Sequence, residues 1–222
     1  SCEPRDYRRL VRIFSLGGPN LNLCSRGVWT ILFNAMQTPL FPLNTVLFPG
    51  GPLPLRVFEP RYLDMISRCM KSDSPFGVVL IWEGGEPGQT TTYSTGPLAK
   101  VIDWYQGSDG ILGITAIGTE RFRLLTTERQ DDGLNVGDIE LLPDVPKANI
   151  PDQYRSLPQI LESVLNDLGR LYENLERRFG DAAWVAYRFA EILPIDLEQK
   201  QEFLESDEVA TFLKGIDEVL HK

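Results

Sequence analysis

Between Thr38 and Val57, five of twenty residues are proline and most of the others are Leu, Phe or Val ("TPLFPLNTVLFPGGPLPLRV"). Apolar residues at this density belong in a core. Proline, however, has no amide hydrogen to give to a sheet ladder and breaks helix interiors. The run is therefore restricted to short extended segments at edges or bulges, with Gly50 and Gly51 turning the chain between them. Such bends carry strands round the corners of a small barrel, and Leu40, Leu43, Val46 and Phe48 are expected to line its interior. A helix follows directly: Pro60 suits a first helical turn, and "PRYLDMISRCMKS" (60–72) places Tyr62, Leu63, Ile66, Cys69 and Met70 on one face.

Beyond that helix the pattern returns to strands. "FGVVLIWE" (76–83), "GPLAKVIDWYQ" (96–106), "GILGITAIG" (110–118), "ERFRLLTTE" (120–128) and "LNVGDIELL" (134–142) are short β-rich runs parted by Gly, Asp and Ser. The linker "LPDVPKANIPD" (142–152) stops the last strand, and the chain turns helical. A stripe of Leu157, Ile160, Leu161, Val164, Leu165, Leu168, Leu171 and Leu175 predicts one long amphipathic helix ended by Gly180. Asp181 is placed to cap 182–193, and Asp196 with Gln199 resembles a capping box before 197–206. Ser206 opens a last helix with Val209, Phe212, Leu213, Ile216 and Leu220 along one side. The fold class expected is α+β: a β pseudo-barrel over 37–145 with one inserted helix, then a helical bundle over 146–222.

Residues 1–36 look unlike the rest, with five Arg, two acids and no clear period, and are read as an extension or leader outside the fold. The other two segments are acidic: residues 37–145 carry eight basic and fourteen acidic side chains, and 146–222 carry nine and fifteen. A surface of that sign repels phosphate backbones, so nucleic acid is not the expected partner. The chain is 42% hydrophobic and 24% charged, as folded, water-soluble chains are. Three scattered cysteines give neither a disulfide framework nor a metal knuckle, and no apolar run is long enough to span a bilayer. A cytoplasmic protein without a cofactor is expected.

Three blocks carry a resemblance. "PLFPLNTVLFPGGPLPLRVFEPRYLDMI", "GTERFRLL" and "AEILPIDLEQKQEFLESDEVATFLKGI" resemble the Lon protease N-terminal domain family, in that order and over roughly residues 38–220. The resemblance implies a PUA-like, six-stranded pseudo-barrel followed by a helical bundle. It also implies a substrate-recognition module that binds polypeptide and has no catalytic residues of its own. No Gly-Lys pair occurs in the chain, so the Lon ATPase phosphate loop is absent from these residues. The reading is of a stand-alone, non-enzymatic member, possessing neither ATPase nor peptidase, that serves as an adaptor or regulator of proteolysis. The alternative is a PUA-like RNA or small-ligand binder.

Taken residue by residue, the chain offers little catalytic chemistry. Its single histidine, His221, is next to the C-terminal residue, and Cys69 lies on the apolar face of its helix, so neither suits a catalytic base or nucleophile. Asp131 and Asp132 read as a hairpin turn with Gly133, and Asp207 and Glu208 as the acidic start of a helix. In "FEPRY", Glu59 and Arg61 are expected to hold the strand-to-helix corner by a charged hydrogen bond with Tyr62 packed beneath. The aromatics Trp82, Trp104 and Tyr105 lie near strand ends and are the candidate substrate contacts, since rigid Trp and Tyr surfaces suit apolar polypeptide. The Gly-rich loop 82–96 is read as a hairpin connection or the lip of a groove.

Overall fold

The computed structural model describes residues 21–23, 29–31, 36–83, 91–173 and 175–220. The chain divides into two compact units, Ser1–Met36 and Gln37–Lys222. In the first, β1 (Leu21–Leu23) pairs antiparallel with β2 (Trp29–Ile31); apart from Met36, the remainder of the segment read as a leader lies outside the described residues, as do residues 84–90 of the Gly-rich loop.

The larger unit begins with β3 (Met36–Leu43), β4 (Pro52–Val57), α1 (Pro60–Ser72), β5 (Phe76–Glu83) and β6 (Thr91–Thr92). The long strands β7 (Thr95–Gln106) and β8 (Leu112–Arg129) and the shorter β9 (Asn135–Leu141) complete the sheet. Helices follow: α2 (Leu157–Asp167), α3 (Arg170–Glu173), α4 (Ala182–Ile192), α5 (Leu197–Glu205) and α6 (Val209–Leu220). The sheet runs β3-β9-β8-β7-β5, and parallel pairing of β3 with β5 closes it into a ring; β4 adds to β8 and β6 to β5. The two added strands lie off the ring, so it is not a clean barrel.

β8 organises the sheet. The two strands expected over 110–128 are one strand of 18 residues that changes partners midway. Leu112–Ile117 lie between β4 and β7, whereas Phe122–Arg129 pair with β9. Gly118, the expected break, is where the Pro49-Gly50-Gly51 turn is fastened to the strand. Gly50 N donates to Gly118 O at 2.7 Å, and Gly118 N donates to Gly51 O at 2.9 Å. Gly50 takes a φ of 70°, which suits glycine. At Gly118 the reason for glycine is room: a Cβ would stand 2.3 Å from the Phe48 carbonyl oxygen.

The proline-rich run splits in two. β4 pairs with β8 alone, and Pro52 and Pro54, two apart, turn both donor-less nitrogens to the same, outer edge. β3 instead has β9 on one side and β5 on the other, with Pro42 opposite Val79. The expectation that every proline sits at an edge or bulge is therefore not met by Pro42, which stands in a strand with a neighbour on each side. Ring closure gives β3 two neighbours that periodicity could not reveal.

The four residues expected to line one interior fall into three clusters. Leu40 packs with Val79, Leu98, Phe122 and Ile139. Leu43 joins Phe41, Phe76, Val78 and Ile114 against the α1 residues Tyr62, Met65, Ile66 and Cys69. Val46 and Phe48 leave the ring and pack on Ala183, Tyr187 and Ala190 of α4. On α1, Met65 takes the buried place expected for Met70, which is 42% exposed at the margin of the stripe. Cys69 is buried, and desolvation pushes its thiol pKa up, which keeps it unreactive.

The long helix expected over 157–175 is broken. Gly169, at φ 67°, ends α2 in the left-handed conformation that commonly terminates helices, and α3 restarts in a new direction. Asp181 caps α4 as expected, its Oδ1 accepting from Ala183 N at 3.1 Å. Asp196 makes no side-chain cap bond, so the capping box before α5 does not form. Ser206 Oγ accepts from Glu208 N at 3.0 Å just ahead of α6.

Replacing Gly118 by Ala forces a backbone to move, and unfolding in urea should show a loss of about 2–3 kcal/mol at unchanged slope. Gly180→Ala, where nothing stands within 4 Å of the added carbon, should change stability by less than about 0.5 kcal/mol.

Candidate functional site

The "FEPRY" corner is built as a brace. Arg61 Nε donates to Glu59 Oε2 at 2.9 Å, and its Nη1 donates to Gly133 O at 2.8 Å, so one side chain ties the start of α1 to the β8–β9 turn. That turn is shaped by Gly133 at φ 84° and by Asp132 Oδ1, which accepts from Leu134 N. The Arg61 guanidinium stands 4.6 Å over the Tyr62 ring, which stacks on Phe41 at 4.0 Å between centroids. All these contacts hold the fold's geometry.

The three aromatics nominated from sequence are well exposed, Trp82 at 60%, Trp104 at 59% and Tyr105 at 57%, but the sheet keeps them apart. Phe76 faces Ala99 in the antiparallel β5–β7 pair. Trp82 therefore lies six residues along one direction and Trp104 five along the other, on the order of 35 Å of strand. Trp104 and Tyr105 are neighbours in sequence and so point to opposite faces of β7. Trp104 shares a row with buried Ile114, whereas the Tyr105 ring covers Gly113, where a Cβ would meet it at 2.2 Å. Trp82 packs edge-on against Tyr93, with centroids 5.1 Å apart.

A cleft of about 550 Å³, invisible to periodicity, opens where the strands meet the helices. The β8 bend supplies Thr119, Glu120 and Arg121 to one wall, and α4 with its cap supplies Asp181, Trp184 and Tyr187 to the other. Pro49 and Gly50 also line it. Two buried arginines hold these walls. Arg121, 4% exposed, donates to the Leu204 carbonyl at 2.9 Å, to the Pro143 carbonyl at 3.1 Å and to Asp207 Oδ1 at 2.6 Å. Asp207, read from sequence as the acidic start of a helix, is thus the counter-ion of a buried strand cation. Arg188, fully buried, donates to the Pro49 carbonyl at 3.0 Å and to Glu191 Oε1 at 2.6 Å, and lies 5.6 Å over the Trp184 ring.

The electrostatics follow from burial. Desolvation pushes the Glu191 carboxyl up to about 7, against the pull of Arg188, Lys200 and the Tyr172 hydroxyl. Desolvation likewise raises the Tyr187 hydroxyl, which has no hydrogen-bond partner among the described residues. Glu120 is held lower by hydrogen bonds to its own backbone amide and the Thr119 hydroxyl. The cleft thus offers fixed dipoles and an aromatic wall, with its strongest charges already paired: equipment for binding. Among the described residues no group of three or more His, Cys, Asp or Glu is placed to share a metal ion, and no helix is long and apolar enough to cross a membrane.

Residues 37–222 match the ATP-dependent protease La (LON) substrate-binding domain. The chain belongs to that family. It is 24% identical over 192 residues to a Lon protease of Anaeromyxobacter dehalogenans, an alignment covering 83% of this chain and 23% of that protein. It is 27% identical over 112 residues to cereblon of Xenopus tropicalis, covering 50% and 25%. The chain thus spans about a quarter of the length of these curated relatives. Among solved structures, a Lon N-terminal domain protein from Xanthomonas campestris superposes with a TM-score of 0.67 at 32% identity, covering 82% of this chain and 96% of that one. The N-terminal domain of the Mycobacterium avium complex Lon protease, 15% identical with a TM-score of 0.54 over 82% of this chain and 96% of its own, shares the fold. The resemblance drawn from the three sequence blocks is borne out, as is the α+β class with strands first and helices after.

Two expectations follow for the paired arginines. Arg121→Met leaves Asp207 and three backbone carbonyls without their donor and should cost about 3–5 kcal/mol in chemical denaturation; Asp207→Ala, which removes a largely exposed partner and leaves the cation its carbonyl acceptors, should cost less, about 1–2 kcal/mol. For Glu191, the folded state holds its proton more tightly than the unfolded chain. Its contribution is therefore complete below the ordinary carboxyl pKa of 4.5 and is lost as pH rises through about 7. Relative to Glu191→Gln, the natural protein should lose about 2–3 kcal/mol of stability between pH 5 and pH 8.

Proposed function

We propose that this domain is a non-enzymatic polypeptide-recognition module acting in the cytoplasm, where it serves proteolysis as an adaptor or regulator without an ATPase or peptidase of its own. The observation that carries the reading is the match of residues 37–222 to a family described as the substrate-binding domain of an ATP-dependent protease. The surface supports it. Large apolar side chains stand exposed at strand ends, among them Trp82, Ile102, Trp104, Tyr105 and Phe58, and such residues supply contact area to unfolded chains at low entropic cost. Beside the cleft, Arg121 is paired with Asp207 and Arg178 with Glu176, and both pairs are structural.

The reading is tested by fluorescence anisotropy with a labelled, reduced and carboxymethylated polypeptide that stays permanently unfolded, against the same polypeptide in its folded form. Preferential binding of the unfolded form is expected. Trp82→Ala combined with Trp104→Ala and Tyr105→Ser should weaken it several-fold at unchanged melting temperature. Equal or no binding of the two forms overturns the proposal, and tight binding of tRNA at physiological salt in their place would favour an RNA-binding role.

A further inference from the structure

The sheet carries a second hollow, of about 340 Å³, on the face opposite α1. Alternation along β3 sets this face: Phe41 and Leu43 turn to α1, and Leu40 and Pro42 turn to the hollow. Val79 completes its floor. One wall is Thr92 and Ser94, from β6 and the turn after it; the other is Leu125 and Thr127 of β8. Among the described residues, no Asp, Glu, Lys or Arg lines the hollow, whose rim is hydroxyl and amide.

Both walls are strand edges without a described neighbour. Among the described residues, β6 bonds to β5 alone. β7 accompanies β8 only as far as Arg123, opposite Thr95, and the last link is Leu124 N donating to Ser94 O at 2.6 Å. From Leu125 to Arg129, among the described residues, β8 has β9 on one side and no strand on the other. The register slips at Leu125, which is 48% exposed. Such a slip turns the extra residue out of the ladder.

An unpaired edge is a template for another strand, and main-chain bonding of this kind is a recurring mode of peptide capture. Here two edges flank one apolar-floored hollow. An occupant must carry backbone donors and acceptors along its length and must leave no charge without a partner, because the lining offers none. Phosphate-bearing chains find no cation in it. We propose that an extended, uncharged polypeptide segment adds to the sheet here as an extra strand. It bonds to β8 over Leu125–Arg129 and sets alternate small aliphatic side chains beside exposed Leu125 and the Thr92 and Thr127 rim, above the buried Leu40 and Val79. The proposal rests on the polypeptide-recognition reading above and gives it a location and a substrate class: neutral, β-prone segments of the kind that a folded protein hides.

The test uses the full chain and a fluorescein-labelled, end-blocked nine-residue peptide of alternating Val and Thr, alongside the unfolded polypeptide described above. Binding of the peptide is expected to fall at least tenfold when alternate residues are N-methylated, which removes donors from one edge but keeps the side chains. Leu125→Asp should weaken it at least tenfold with an unchanged melting curve, and Thr92→Lys should do the same from the opposite wall. Hydrogen exchange should show new protection of the Leu125–Arg129 amides on peptide addition. If the unfolded polypeptide binds but the peptide does not, or if neither N-methylation nor the substitutions matter, strand addition in this hollow is overturned while polypeptide recognition stands. If neither ligand binds, both proposals fall.

Discussion

The wholly buried guanidinium of Arg188 decides how the strands and helices of the larger unit meet. It projects from α4, donates to the Pro49 carbonyl of the Gly-Gly turn and donates to Glu191 Oε1 one helical turn on. The turn can come so close only because it has no side chains. A Cβ on Gly51 would lie 1.8 Å from Glu191 Oε1 and 2.8 Å from Arg188 Nη2. On its other side the same turn is hydrogen-bonded to Gly118, at the bend of β8. One cation thus fixes the turn, the turn fixes the bend, and the bend divides β8 between its two sets of partners.

Burying an ion pair is not a cheap source of stability. Desolvation of two charges offsets most of what their attraction contributes, and well-packed apolar residues can do as well. What Arg188 and Arg121 supply is direction. Each reaches a backbone carbonyl of a distant segment, Arg121 that of Leu204 and Arg188 that of Pro49, so each bond forms in one arrangement of strands and helices and is lost in others. Gln201 adds a third such link, its Nε2 donating from α5 to the Thr95 carbonyl of β7 at 2.9 Å. The cleft lies along this seam, walled by the residues next to those that fasten it.

Much of this was legible in the chain. The ends of α1, β5, β7 and β9 lie within a residue or so of where Pro60, the apolar runs and the flanking Gly and Asp residues place them. These are local signals: capping, missing amide donors and alternation act over a few residues. The failures are equally specific. A Gly at 118 reads as a strand end because nothing nearby shows that a carbonyl from 70 residues earlier will press against it. A Gly at 169 reads as tolerable inside a leucine stripe because hydrophobic period does not record backbone handedness. Arg188 carried one signal that could have been used, as a lone cation in the otherwise apolar "AAWVAYRFA" with an acid three positions later. Arg121 carried none, since a β-strand places Arg outward as readily as Arg123 shows.

Most of the elements, their order and the family could be read from the chain, because turn chemistry, periodicity and the proline-punctuated motif are properties of short stretches. It also placed Trp82, Trp104 and Tyr105 at strand ends. Folding settled that these aromatics stand apart, that Val46 and Phe48 face a helix, and that, among the described residues, the β8 edge past Arg123 borders a hollow lined by no charged side chain. Those outcomes depend on which strands become neighbours in the closed ring, and strand pairing is set by contacts between residues far apart in the chain.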